Sequence, residues 1–126
     1  MAYGLPAIVQ DAAAYALEKN EHTAIVVRDK LMRNRDVVKE TLSKMHGVLL
    51  YAEGGGMFAV LDVRPLGQSS SEFAWGLLNE QKVSLLPCDG FGRSGQGLLR
   101  IGLCLDEGTL REAAQRILAY VETVAG

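Results

Sequence analysis

The chain has 126 residues, 48% of them hydrophobic and 22% charged, with a net charge of −2. That length suits one domain whose core buries roughly two thirds of its unfolded surface, and the near-neutral balance argues against a nucleic-acid or polybasic membrane surface. No apolar run approaches the roughly 20 residues of a membrane span, and no basic-then-apolar leader opens the chain, so a cytoplasmic protein is expected.

Leu5-Pro6 followed by Ala7–Lys19 predicts a helix with proline at its first turn. Ile8, Ala12, Tyr15 and Ala16 share one face, whose small residues suggest close packing on a neighbour. Asn20 and Glu21 break or bend it. A longer helix is predicted from about His22 to Met45, with Val27, Leu31, Val38, Leu42 and Met45 at three- and four-residue steps. Arg28, Asp29, Lys30, Arg33, Arg35, Asp36, Lys39 and Glu40 read as its solvated side. His46-Gly47 closes it with a C-terminal glycine.

The character then changes. Val48–Ala52 and Met57–Val63 read as strands joined through Glu53-Gly54-Gly55-Gly56. Ser69-x-x-Glu72 has capping-box spacing and opens a helix to about Gln81, with Phe73, Leu77, Leu78 and Trp75 toward a sheet. Val83–Leu86 and Leu98–Leu105 are two further short apolar runs, expected to be largely buried strands. Thr109-x-x-Glu112 reads as a second capping box before a helix with Leu110, Ala113, Ala114, Ile117, Leu118 and Val121 on one face. The order is therefore two helices, then β-β-α-β-β-α. The expected fold is an α+β unit with a four-stranded sheet covered by helices over residues 47–126, entered through a helical segment, residues 1–46.

Arg100 organises the last strand. Alternation places Leu99, Ile101, Leu103 and Leu105 on one face and Leu98, Arg100, Gly102 and Cys104 on the other. A guanidinium among apolar residues is costly unless it meets an anion. Gly102 leaves room beside it. On pattern alone the anion is equally a carboxylate of the chain, such as Asp62 or Asp89, or that of a ligand. Arginine suits a ligand carboxylate because its planar fork makes two parallel hydrogen bonds.

Other motifs carry less. Gly90-x-Gly92-x-x-Gly95 matches a dinucleotide fingerprint in letters, but a strand follows it where that motif needs a helix. His22 and His46 stand without a nucleophile or carboxylate arrangement. Asp62 and Arg64 flank a strand end as a surface pair of little worth. Phe58 reads as core. Cys88 and Cys104 have neither C-x-x-C nor histidine spacing, so reduced thiols are expected, Cys104 as a buried small hydrophobe, and no metal site.

The run from Val83 to Leu105, a strand, Pro-x-x-x-Phe-Gly, a glycine-rich turn and then Leu-Arg-Ile, resembles the C-terminal part of class I/II pyridoxal-phosphate aminotransferases of the aspartate-aminotransferase-like fold. The matching residues are Pro87, Phe91, Gly92, Arg100 and Ile101; Cys88 stands where many members have glycine. The resemblance implies that residues 1–46 are the end of a large domain and its interdomain helix, and that 47–126 are the small domain. It implies that Arg100 pairs with the α-carboxylate of an amino-acid substrate, with Phe91, Gly92 and Gly102 as the pocket loop beside it. The complete enzyme would use pyridoxal 5'-phosphate to move an amino group between an amino acid and a 2-oxo acid.

That chemistry needs a Schiff-base lysine and a cofactor cradle. None of Lys19, Lys30, Lys39, Lys44 and Lys82 lies in a suitable context. This chain alone is therefore expected to hold no cofactor, to contribute no catalytic residue and to be inactive. The apolar faces of the first two helices lack a partner within the chain and suggest a homo-oligomer. The alternative is a free-standing amino-acid-binding or oligomerisation module without chemistry.

Overall fold

A computed structural model describes residues 4–125. The elements are α1 (Ala7–Lys19), α2 (Glu21–Leu42), β1 (Leu49–Tyr51), β2 (Phe58–Asp62), α3 (Ser70–Gln81), β3 (Leu86–Pro87), β4 (Leu98–Gly102) and α4 (Glu107–Ala125), with short 3-10 turns at Arg64–Leu66, Asp89–Phe91 and Arg93–Gly95. Two compact units divide between Lys30 and Leu31, so α2 runs through both.

In the first unit α1 has no buried residue. Ile8 and Tyr15, predicted to pack on a neighbour, are 77% and 66% exposed. Asn20 interrupts the helix as expected, and α2 resumes at once.

The second unit is a four-stranded sheet, order β1-β2-β4-β3, with every neighbouring pair antiparallel. The expected α+β architecture is therefore present. Its register follows from side-chain alternation. Leu50 lies opposite Leu61, Leu61 opposite Leu99, and Ala59 opposite Ile101. These residues turn one apolar face toward Val38 and Leu42 of α2, Phe73 and Leu77 of α3, and Leu110, Ala114, Ile117, Tyr120 and Val121 of α4. The helices form a single layer over that face. Gly76 lets α3 and α4 close up: a methyl group there would fall on the Tyr120 hydroxyl, and the Tyr120 ring meets Phe73 edge-on at 5.0 Å.

Helix ends follow side-chain chemistry. The Ser69 hydroxyl accepts from the Glu72 backbone N–H while the Glu72 carboxylate accepts from the Ser69 N–H, the predicted box. The second box is not used. The Asp106 carboxylate accepts from the Thr109 N–H at 2.9 Å, so α4 starts at Glu107, earlier than predicted. A carboxylate there also complements the helix dipole.

Several placements differ from expectation. α2 ends at Leu42, with Met45 buried beyond it in a turn. Arg35 is not on the solvated side: it is 9% exposed, and its Nη2 donates to the Gly56 carbonyl at 2.7 Å. The guanidinium thus pins the glycine-rich end of the β1–β2 connection, an acceptor that periodicity cannot reveal. Trp75 points outward, 65% exposed. Of the run Val83–Leu86 only Leu86 enters a strand, the two-residue β3, with Val83 buried but Leu86 44% exposed. β4 ends at Gly102, so Leu103 is still buried while Leu105 is 48% exposed. The chain turns there because buried Asn34 donates to the carbonyls of Leu103 (2.7 Å) and Leu105 (2.8 Å). Cys88 is the buried cysteine and Cys104 the exposed one, the reverse of the prediction for Cys104.

Candidate functional site

The sheet face opposite the helices is uncovered within the second unit. Register puts Tyr51, Phe58, Val60, Leu98, Arg100 and Gly102 on it, with Leu86 at its edge. Tyr51 and Phe58 are exposed and Arg100 is half-buried. A largely apolar surface with the Arg100 guanidinium in its middle, and Asp62 on the same face paired with Arg64, is the arrangement from which the site is built.

Arg100 lies opposite Val60 on β2 and Leu86 on β3. Phe58 lies opposite Gly102, one pleat along the same face, a diagonal position that aromatic side chains reach. The Arg100 Cζ sits 4.1 Å from the Phe58 ring centroid and 5.8 Å from that of Phe91. Phe58 is not the core residue that its place in a strand predicts. It is instead 41% exposed and forms the floor under the guanidinium. The pairing of Phe58 with Gly102 is what places it there, a long-range fact with no local signal.

Neither carboxylate considered as an internal partner reaches Arg100. Asp89 accepts a hydrogen bond from the Ser70 hydroxyl. Asp62 accepts from Arg64 Nε at 2.8 Å and Nη2 at 2.5 Å, and from the Arg64 backbone N–H at 3.1 Å. Among the described residues no carboxylate forms an ion pair with Arg100.

The Asp62–Arg64 pair is more than the surface pair expected, because the Asp62 side chain is only 2% exposed while that of Arg64 is 59% exposed. The Arg64 hydrogen bonds hold the Asp62 carboxyl below the usual carboxylate range against the opposing effect of burial. A depressed folded value means stability fully present above the unfolded value, about 3.9, and lost as pH falls through the folded one. Asp62→Asn is therefore expected to lower stability near neutral pH, and its deficit against the natural chain should shrink below about pH 4. Urea unfolding across that range checks this; a deficit independent of pH would discount the ionic contribution.

The loop that brings Phe91 to the site folds back on itself. The Cys88 N–H donates to the Leu98 carbonyl at 2.9 Å, and the Phe91 N–H to the Cys88 carbonyl at 2.9 Å. Gly95 lies so close to the Cys88 carbonyl that a side chain could not be accommodated. Gly92 has φ +108, a conformation that side-chain-bearing residues rarely adopt. Of the predicted pocket residues, Arg100 and Phe91 are brought together and Gly92 shapes the loop. Gly102 is bordered by open space: a Cβ there would meet nothing within 4 Å.

No family model matches the chain. It is 42% identical over 126 residues to the arginine–pyruvate transaminase AruH of Pseudomonas aeruginosa, covering 100% of this chain and 32% of that protein. It is 37% identical over 114 residues to the LL-diaminopimelate aminotransferase of Maridesulfovibrio salexigens, covering 90% and 29% respectively. Among solved structures, an aminotransferase from Staphylococcus aureus superposes with a TM-score of 0.82 at 29% identity, over 94% of this chain and 31% of that one. By sequence and fold this chain corresponds to the C-terminal portion of a pyridoxal-phosphate aminotransferase of the aspartate-aminotransferase-like fold.

This aminotransferase segment spans about a third of the length of the curated relatives it matches. Its own residues do not fit the cofactor. Lys39 pairs with Glu53 at 2.5 Å. Lys82 caps α3 in a left-handed conformation and donates to the Asn79 carbonyl at 2.7 Å. Lys19 and Lys44 are exposed at helix ends, and Lys30 is exposed on α2. None stands in a cradle that could hold a Schiff base. Among the described residues no group of three His, Cys, Asp or Glu could hold a metal ion, and no helix is long and apolar enough to cross a membrane.

Proposed function

We propose that this chain supplies the substrate-carboxylate wall of a transaminase that moves an amino group between an amino acid and a 2-oxo acid. The observation that carries this reading is Arg100: its guanidinium carbon sits 4.1 Å from the Phe58 ring centroid on the sheet face away from the helices, and among the described residues it forms no ion pair. Such a group offers two parallel N–H donors to an incoming α-carboxylate. Phe91 borders the same space from its loop, which the conformation of Gly92 shapes. In the complete enzyme residues 1–46 would be the end of the large domain and the interdomain helix, and 47–126 the small domain that closes over substrate.

The lysine and the phosphate cup would come from the rest of that enzyme, so the 126-residue chain alone should neither hold pyridoxal phosphate nor turn over. The name of the Pseudomonas aeruginosa relative makes arginine and pyruvate the first substrate pair to try. The uncovered apolar side chains of α1, among them Ile8, Tyr15 and Leu17, favour self-association.

The test is a chimera in which this chain replaces the C-terminal third of that relative. Transaminase turnover in the chimera, with none in the isolated chain, is the expected result. A chimera that folds and binds pyridoxal phosphate but does not turn over would favour the second reading, a free-standing amino-acid-binding or oligomerisation module.

A further inference from the structure

We infer that Phe58 is the positioning residue for Arg100 and sets the affinity of the site for the carboxylate, an inference that rests on the substrate-binding reading of Arg100. An arginine on an open sheet face has four rotatable side-chain bonds and loses that freedom when it binds. Here two rings restrain it. The guanidinium carbon sits 4.1 Å from the Phe58 centroid, within stacking distance, and 5.8 Å from Phe91.

A ring restrains the guanidinium through its π face and supplies no acceptor oxygen to pair with the N–H groups. The ring therefore restricts the side chain while leaving the carboxylate-binding edge unspent. A carboxylate holding Arg100 in the same place would instead consume that edge. The register makes the arrangement possible: Phe58 faces Gly102, two residues along β4 from Arg100 and on the same face. The ring itself is 41% exposed, so Phe58 is not a core residue whose size the fold requires.

The consequence is a division of roles. Arg100 makes the contact with the substrate carboxylate, and Phe58 keeps the guanidinium where that contact is made. Phe58→Leu, which removes the π face while keeping an apolar side chain, is expected to raise the KM for the amino acid roughly 3- to 30-fold in the chimera, the range of an aromatic–cation contact. Phe58→Tyr keeps the ring and should restore the original value, and kcat at saturating substrate should change less than KM in both variants.

A second measurement uses the 126-residue chain. The side-chain Nε–H resonance of Arg100 should carry a ring-current shift that Phe58→Leu removes and Phe58→Tyr retains. Arg100→Ala serves as the reference for the underlying reading. If it leaves KM unchanged, the substrate-binding role of Arg100 is wrong. If Arg100→Ala weakens binding but Phe58→Leu alters neither KM nor the Arg100 resonance, the positioning role of Phe58 alone is overturned. Loss of pyridoxal phosphate from the Phe58→Leu chimera would also overturn it, because it would mark a general structural role.

Discussion

Replacing Arg100 with alanine in the transaminase chimera is expected to raise the KM for the amino acid by more than about tenfold, with kcat/KM falling at least as far. The reason is the absence of a substitute. Asp62 and Asp89 are engaged by Arg64 and Ser70, and among the described residues Arg100 is in no ion pair whose loss would explain a change by misfolding. The residues paired with Arg100, Val60 and Leu86, and the Phe58 ring against it are apolar. None of these can donate to a carboxylate. Arg100→Lys should recover only part of the affinity, because an ammonium keeps the charge but not the planar fork. Steady-state kinetics with arginine and pyruvate checks both variants. Unchanged KM and rate in Arg100→Ala would refute the assignment.

The second large effect is expected at Asn34, far from the site in sequence. Its side-chain amide donates to two carbonyls, Leu103 and Leu105, at 2.7 and 2.8 Å, and the residue is 2% exposed. Asn34→Leu keeps the volume but leaves both acceptors without that donor. A buried carbonyl losing its partner costs roughly 1–3 kcal/mol, so the chain should lose about 2–4 kcal/mol of stability. For a domain of this size that is a large share of the total. Leu103 directly follows β4, so the change also loosens the end of the strand that carries Arg100. Urea unfolding of the 126-residue chain measures the loss. A change under about 0.5 kcal/mol would mean that the carbonyls regain partners from water.

Asn34 also carries a signal that helical periodicity contains. It sits three residues after Leu31 and four before Val38, on the same stripe of α2 as the core residues. A polar residue at such a position needs buried hydrogen-bond partners, and the carbonyls beyond β4 are those partners. Arg35 gave no comparable signal. It sits in a run of charged residues, and only the return of the glycine-rich connection over α2 turns it into a buried donor.

Much of this protein is decided locally. Periodicity of three and four residues marks α2, α3 and α4, alternation marks β2 and β4, and a side-chain oxygen at Ser69 marks where α3 begins. These are short-range effects, set by which side chains share a face and which free N–H groups need an acceptor. The Phe-Gly and Leu-Arg-Ile segments were enough to single out Arg100 and Phe91. The tertiary structure decided what Arg100 meets. The pairing of β2 with β4 places Phe58 beneath it, Arg64 takes Asp62, Ser70 takes Asp89, and Asn34 ends the strand before Leu105 can be buried. Each depends on contacts between residues distant in the chain or on a competition between partners. The chemistry of a side chain fixes what it can bind, and the fold alone fixes what is left for it to bind.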